Sequence, residues 1–355
     1  MFEPTLPDPD TMYRALVEKD ASFEGIFFAG VTTTGIFCRP TCTARKPHRE
    51  NVVFFPTTRD AMLAGYRPCR VCHPMMLPGT MPDAVARLLQ EIEADPGLRL
   101  TDTDLQARGI EPAGLRRLFK RTHGMTFQAY LRARRVGEAF GQIKHGESAT
   151  DAAFGHGWES LSGFGEAFRK VMGASPTQAT GPVTTVTRLE TPLGPMLAGA
   201  SDAGIALLEF ADRRMLETQI ERLRRLLRTP LVPGSSPFFG RLAEELQRYF
   251  AGELRQFEVP LDLRGTPFQT RVWTVLLGIP YGKTRSYAEQ AKAVGDPAAI
   301  RAVARANGDN RIAVIVPCHR VVGSDGSLTG YGGGLWRKQW LLDLERRQTG
   351  GCQKP

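Results

Sequence analysis

Pro317-Cys318-His319-Arg320 follows an apolar, β-branched run, Ile312-Ala313-Val314-Ile315-Val316. A thiolate is the nucleophilic form of cysteine, and a neighbouring imidazole can take its proton or stabilise its charge. The run reads as a buried strand, and Pro317 cannot continue a ladder. Thiol and imidazole are therefore expected where a strand gives way to a turn, a rigid mount for a reactive group. Taken alone, the pair has a bland alternative, an inert buried thiol beside a surface histidine, because free cysteine is among the most buried residue types.

A second chemistry stands near the N-terminus. Cys38 and Cys42 are spaced C-x3-C, and Cys69 and Cys72 are spaced C-x2-C. Two close pairs separated by a short insert are the ligand pattern of a tetrahedral Zn(Cys)4 site. His48 and His73 are spare donors, but four sulfurs already close the site. Arg39, Arg45, Lys46, His48 and Arg49 crowd the first pair, and Arg67 and Arg70 flank the second. Such charge is either a solvated face or a contact with phosphates.

Whole-chain properties narrow the class. A chain of 355 residues with 42% hydrophobic residues can bury several cores, and a net charge of +9 points to an anionic partner. Clustered cysteines in a large chain argue for metal rather than disulfides. The N-terminus, Met1-Phe2-Glu3-Pro4, has no signal-peptide pattern, and no apolar run reaches the ~18 residues of a membrane span. A cytoplasmic monomer is expected.

Between the two cysteine sites the pattern is helical. Pro78-Gly79-Thr80-Met81-Pro82 reads as a linker, Ala84 to Ala94 as a helix, and Thr101-Asp102-Thr103-Asp104 as the capped start of a second helix ended by Gly109. Glu111 to His123 forms the next helix, with Gly124 at its end. At 100° per residue, Leu115, Leu118 and Phe119 share one arc, while Arg116, Arg117, Lys120 and Arg121 share the opposite one. Helix, short turn and basic helix make a helix-turn-helix. Ser148 to Gly155 and Ser160 to Val171, with Phe164 and Phe168 at core spacing, repeat it. From Thr184 onward, strands are expected at Thr184–Leu189, Pro195–Ala200, Ala203–Phe210 and Phe257–Leu263, and helices at Met215–Leu227 and Pro237–Ala251. Further helices are expected at Thr266–Leu277, Ser286–Val294, Ala298–Ala306 and Trp336–Arg347. The Ala298–Ala306 helix is thin and carries Arg301, a shape that fits even a narrow groove.

These motifs carry a resemblance. Thr33-Thr34-Gly35-Ile36-Phe37-Cys38-Arg39-Pro40 with Arg67-Pro68-Cys69 resembles the zinc module of the Ada family. Leu115–Lys120, Phe164–Lys170 and Gly173-Ala174-Ser175-Pro176 resemble the paired helix-turn-helix of AraC-type regulators. Asn310, Pro317–Val322, Gly330-Tyr331-Gly332-Gly333-Gly334 and Glu345 resemble the O6-alkylguanine-DNA alkyltransferases. The three modules stand in Ada order.

The resemblance implies a multidomain α+β fold. Its parts would be a small Zn(Cys)4 α/β module at 1–78, an all-α double helix-turn-helix at 83–180, a small α/β (ribonuclease-H-like) subdomain at 184–263 and a helical, winged-helix-like alkyltransferase domain at 266–347. It implies that Cys38, as one of the zinc ligands Cys38, Cys42, Cys69 and Cys72, accepts methyl from DNA methylphosphotriesters. It implies that Cys318 accepts the methyl of O6-methylguanine and of O4-methylthymine. His319 would be the base, Glu345 its orienting acid, and Asn310 the residue that orders the turn. Tyr287 would lie near the guanine oxygen, Tyr331 and Gly333 would line the pocket, and Arg301 would fill the gap of a flipped nucleotide. DNA contacts fall to Arg45, Arg67, Arg116, Arg117, Lys120 and Arg121. Gly332 and Gly323 depart from some relatives, which bears on tolerance for bulkier alkyl groups. The implied cofactor is one Zn²⁺, with no organic cofactor. The implied partners are alkylated and promoter double-stranded DNA and RNA polymerase. Zn²⁺ with four thiolates carries a formal −2, and methylation leaves −1, so a methylated Cys38 is expected to raise DNA affinity. Each thioether product is stable, so each acceptor works once. A repair protein whose helix-turn-helix adds only affinity, without activation, is the alternative.

Overall fold

The computed structural model describes residues 6–20, 23–76, 82–95, 97–144, 146–178, 181–213 and 216–349. The linker residues Pro78 to Met81, the start of the Met215 helix, Cys352 and the side chain of Arg121 lie outside the described residues. Two compact units are formed, one from 1–78 with 271–355 and the other from 79–270.

In the first unit, helix α1 (Pro9–Glu18) is capped by Asp8 and buries Met12, Ala15 and Leu16. They pack with Phe27, Ala29 and Val52. The last two belong to β1 (Phe28–Val31) and β3 (Val52–Phe55). With β2 (Ile36–Cys38) and β4 (Arg67–Pro68) they form a sheet of order β3-β1-β2-β4. β1 runs antiparallel to β2 and β3, whereas β4 runs parallel to β2. A short helix, α2 (Thr58–Leu63), makes that parallel return possible.

The C-terminal part of this unit holds α11 (Pro267–Leu277) from Arg271 onward, the two-residue strand β9 (Arg285–Ser286), α12 (Tyr287–Val294), α13 (Ile300–Gly308), β10 (Val321–Val322) and α14 (Leu335–Thr349). β9 and β10 pair in parallel. Ser286 and Glu289 form a capping box that starts α12, and Gly295 ends it in the left-handed region. Trp273 of α11 is buried and donates from Nε1 to the Ala306 carbonyl of α13, which holds these two helices together.

The second unit begins with α3 (Asp83–Ala94), α4 (Asp102–Ala107) and α5 (Pro112–His123). A capping box of Thr101 and Asp104 starts α4. The long helix α6 (Phe127–Lys144) went unread in the sequence. Its first half gives Phe127, Tyr130 and Leu131 to a core shared with α3, α4 and α5. Its second half gives Val136, Ala139 and Phe140 to a core shared with α7 (Ala149–Gly155) and α8 (Leu161–Met172). Each buried phenylalanine contributes roughly 2 kcal/mol. One helix thus fixes two helix-turn-helix units to each other. The α/β part follows, with β5 (Thr184–Leu189), β6 (Met196–Ser201), β7 (Gly204–Phe210), α9 (Leu216–Leu227), β8 (Leu231–Pro233) and α10 (Pro237–Phe250). Its sheet order is β7-β6-β5-β8, with β8 parallel to β5.

Two expected strands are corrected. Phe257–Leu263 makes only a single bridge, Ile205 with Leu261, because the chain meets the end of β7 rather than running along it. Ile312–Val316 is buried as expected but forms tight turns. The reason is local: the Ile315 N–H bonds the Ala313 carbonyl, the Val316 N–H bonds the Ile312 carbonyl, and Asn310 takes up the Ile312 N–H and the Val316 carbonyl, which folds the run back on itself.

Gly204, at φ +145°, marks the crossing of β7 with the 260–262 segment, where an added Cβ would lie 2.4 Å from the Pro260 carbonyl oxygen. Gly204→Ala is expected to cost about 2–3 kcal/mol, since backbone must move to admit it. A thermal midpoint unchanged from the parent would contradict this packing.

Candidate functional site

The parallel pairing of β2 and β4 builds the cysteine cluster. Parallel strands end at the same edge, so Cys38 at the end of β2 and Cys69 just past β4 arrive together, and the Cys69 N–H donates to the Phe37 carbonyl at 3.0 Å. Tight turns then bring back Cys42, whose N–H bonds the Arg39 carbonyl, and Cys72. All four sulfurs lie within 4.8 Å of one another. Backbone N–H groups of Arg39 and Val71 donate to the sulfurs of Cys72 and Cys69, each at 3.4 Å. Hydrogen bonds from Cys38 and Cys72 push Cys42 down to about 2. The bonds with Cys42 and Cys72, with burial added, push Cys38 far up. Cys72 is lowered by Cys38 but carried up to about 12 by Cys42 and burial. Four thiols this close cannot all ionise unless a cation takes the place of their protons, and an all-sulfur tetrad of this size suits zinc. Neither His48 nor His73 belongs to the tetrad.

The surrounding charge divides into two classes. Arg45 and Arg67 are exposed. Arg39 is only 8% exposed, pairs with Glu24 at 2.5 Å, and donates to the Cys72 and His73 carbonyls. Lys46 is turned to the Cys42 carbonyl at 2.7 Å. These two cations hold the cysteine loops together and are not a free phosphate-binding surface, which narrows the expectation drawn from the sequence.

The second thiol sits in strained backbone. Val314 has φ +72°, and the Ile315 N–H bonds the Ala313 carbonyl, the geometry of a γ-turn that side chains resist. Pro317, at φ −83° and ψ 60°, makes the mirror-image turn, closed by the Cys318 N–H to the Val316 carbonyl. The Asn310 side chain spans both. Its Oδ1 accepts from the Ile312 N–H at 3.0 Å, and its Nδ2 donates to the Val316 carbonyl at 2.8 Å and to Cys318 Sγ at 3.1 Å. A donor aimed at the sulfur favours its ionised form.

Behind the thiol lies a buried charge chain. His319 Nε2 meets Glu345 Oε1 at 2.9 Å, and both residues are fully buried. A carboxylate only accepts, so Nε2 carries the proton and Nδ1, which has no partner among the described residues, is left to receive one. Burial holds the His319 imidazole below its ordinary pKa, neutral and able to act as a base. Burial alone would raise the Glu345 carboxyl. The His319 hydrogen bond and the guanidinium of Arg320, which reaches both carboxylate oxygens, hold it well below the usual range instead. Glu345 also accepts from the Gly282 N–H at 3.0 Å.

Tyr331 is buried with its ring nearly perpendicular to that of His319, 6.5 Å between centroids. Tyr287 donates to the Thr329 carbonyl at 3.3 Å, and burial raises its phenol. The Gly333 carbonyl accepts from Arg337 at 2.8 Å. Arg301 lies on the exposed face of α13. Two functional groups went unnoticed in the sequence. Arg320 was read only as part of the motif. Lys338 is buried, donates to the Val321 and Thr329 carbonyls at 2.6 Å each, and is pushed down to about 8 by burial, against the charge of Cys318. The signal was present: Lys338, Leu341, Leu342 and Glu345 follow the i, i+3, i+4, i+7 stripe of one buried face of α14.

On α5 the core face is buried as expected, with Leu115 and Phe119 at 2% and 0% exposure. Arg116 pairs with Asp102, Arg117 with Glu111 at 3.8 Å, and Lys120 with Glu217 of α9 at 3.3 Å. The expected basic face exists, but each of these three cations has an acidic neighbour.

Glu345→Gln leaves Arg320 buried and unpaired, so it is expected to cost about 3–5 kcal/mol at neutral pH. A depressed carboxyl pKa stabilises the fold above the unfolded value of about 4.3, and that stability is lost as pH falls. Wild type should therefore lose urea resistance between about pH 5 and pH 3 more steeply than the variant. Equal acid sensitivity of the two would refute the role assigned to Glu345.

Four family models match the chain: "Metal binding domain of Ada" at 11–75, "Helix-turn-helix domain" at 106–180, and the "ribonuclease-like domain" and "DNA binding domain" of 6-O-methylguanine DNA methyltransferase at 185–263 and 267–347. Over 351 residues the chain is 33% identical to the bifunctional transcriptional activator/DNA repair enzyme Ada of Escherichia coli (strain K12), covering 97% of this chain and 98% of that one. It is 52% identical over 162 residues to a methylated-DNA–protein-cysteine methyltransferase of Mycobacterium tuberculosis, covering 45% and 92%. The crystal structure of the Mycobacterium tuberculosis O6-methylguanine methyltransferase aligns over 47% of this chain and 94% of that one, at 43% identity and a TM-score of 0.40. With similarity to one relative running nearly end to end through both the cysteine tetrad and the Cys318 turn, the chain belongs to the Ada family.

Proposed function

We propose that this protein repairs alkylated DNA by stoichiometric methyl transfer to two of its own cysteines and regulates alkylation-damage genes in response. The observation that carries the reading is the Cys318 turn: a sulfur hydrogen-bonded by Asn310, next to a neutral histidine oriented by a buried carboxylate.

His319 Nδ1 takes the Cys318 proton through water, and Sγ attacks the methyl carbon of O6-methylguanine. The S–C bond forms as the C–O6 bond breaks, and the electron pair stays on the base. O4-methylthymine presents the same methyl ether. Tyr287 and Tyr331 shape the pocket, with the Gly333 backbone. Lys338 and Tyr287 both tie Thr329 and so hold the loop that covers it. A paired base hides its O6 substituent, so the nucleotide must leave the stack, and Arg301 on the exposed face of α13 fills the gap.

At the tetrad, Cys38, Cys42, Cys69 and Cys72 would hold the zinc, which would supply the charge that keeps Cys38 a thiolate at neutral pH. Cys38 Sγ takes methyl from a methylphosphotriester, breaking the C–O bond and leaving an ordinary phosphodiester. Arg45 and Arg67 hold the backbone there. The site loses one negative charge in the process, so DNA repels it less, and the helix-turn-helix pair is switched towards its promoter. Arg116, Arg117, Lys120 and Arg121 of α5 are its groove-facing cations. The segments 1–78, 83–180, 184–263 and 266–347 are the working domains. Activation calls for contact with RNA polymerase, a single copy carries both acceptors, and work on genomic DNA fits the cytoplasm.

Incubation with alkylated DNA followed by peptide mass spectrometry is expected to find methyl on Cys38 and on Cys318. Cys318→Ala should retain only the first, and methyl on neither would sink the repair reading. In a promoter assay Cys38→Ala is expected to abolish induction by alkylated DNA. Full induction in that variant would leave repair standing and remove the switch.

A further inference from the structure

A cavity of about 310 Å³ opens where α6 meets the turn before α8. Arg132 and Arg135, one turn apart on α6, line it with Arg99, Trp158, Glu159 and the first residues of α8. The guanidinium of Arg135 stacks on Trp158, 4.6 Å from the ring centroid. Its Nε and Nη1 and the Trp158 Nε1 are all buried, and none has a hydrogen-bond partner among the described residues. Arg99 is engaged by Glu159 at 2.5 Å and by the Gly157 carbonyl. Arg132 has no ion-pair partner among the described residues.

Those three nitrogens are covered in this conformation, so the group the cavity can take is set by the charges that line it. Three guanidiniums line it against one carboxylate, an excess of positive charge that favours an anion. A stacked, planar guanidinium presents a fork suited to two oxygens of one group. The start of α8, a 12-residue helix with Ser160 as its cap, adds unused N–H groups and the favourable end of its dipole.

We propose that this cavity is an oxyanion site that seats one phosphodiester group of the DNA backbone beside the second recognition helix. This rests on the reading of the helix-turn-helix pair as DNA-binding and adds to it a site on the connecting helix. The backbone is favoured over a free phosphate by position: the cavity borders the first turn of α8 and the helix that joins both units. It also supplies what α8 lacks, since the basic residues of that helix, Arg169 and Lys170, lie in its last turn. A contact of this kind sets register and orientation without reading sequence.

The test uses the full-length protein and a fluorescent duplex, titrated across a range of sodium chloride concentrations. One neutralised phosphate contributes about 0.9 to the slope of log affinity against log salt. Arg132→Gln/Arg135→Gln is expected to flatten that slope by about 0.9 while leaving the ratio of specific to non-specific affinity unchanged. Arg135→Lys should restore part of the slope. The single variant Arg132→Gln, which removes no hydrogen bond or ion pair among the described residues, guards against a folding defect, with circular dichroism and the thermal midpoint as checks. A wild-type slope in folded variants overturns the proposal. Stabilisation by inorganic phosphate, beyond chloride at equal ionic strength, that vanishes in the double variant while the DNA slope stays unchanged overturns the backbone assignment in favour of a free oxyanion. Failure of the wild type to bind duplex at all would instead overturn the DNA-binding reading beneath it.

Discussion

The carboxylate of Glu345 is the interaction on which the alkyl-acceptor end of the chain depends. It is fully buried on α14, yet it accepts from His319, from both faces of the Arg320 fork and from the Gly282 backbone. A lone buried carboxylate would take up a proton, and this one cannot because four donors surround its charge. The same contacts tie α14 to the Cys318 turn and to the segment before β9. Base orientation and local architecture are thus one network, and neither can be altered without the other.

In the proposed function the two thiols are two solutions to one problem, that of keeping sulfur nucleophilic at neutral pH. At Cys318 the protein uses hydrogen-bond donation from Asn310 and a neutral imidazole held in one tautomer. At Cys38 it crowds four sulfurs until a dication must neutralise them. The first solution sits deep in the fold, where Cys318 is 7% exposed. The second works nearer the surface, and Cys38 is only half-buried, as suits a target on the DNA backbone rather than an extruded base.

Between them, α6 gives the helix-turn-helix pair its rigidity by serving two cores in succession. Nothing in its apolar pattern announced this, because its buried residues switch faces near residue 133 and blur a single stripe. The paired acids on α5 have a similar lesson. Angular reasoning placed Arg116, Arg117 and Lys120 on one outer face, and that face exists. Their neighbours Asp102, Glu111 and Glu217 come from other elements, at separations no local pattern encodes.

The metal-ligand spacing and local periodicity were legible in the sequence. The spacing of Cys38, Cys42, Cys69 and Cys72 names a metal tetrad because ligand geometry is short-range. Helix caps at Thr101, Ser148 and Ser286 bind backbone within three residues. Only the tertiary structure decided which charges are spent inside. Arg39 and Lys46 look like surface cations but close the cysteine loops, and Arg320 and Lys338 look like solvated residues but fix the active-site turn and its cover. Ile312–Val316 reads as a strand because apolar runs usually find a ladder. Here Asn310 bonds the two ends of the run, the Ile312 N–H and the Val316 carbonyl, and the chain folds back on itself before Cys318. Burial of a polar group is decided by partners distant in the chain, and sequence spacing carries no record of them.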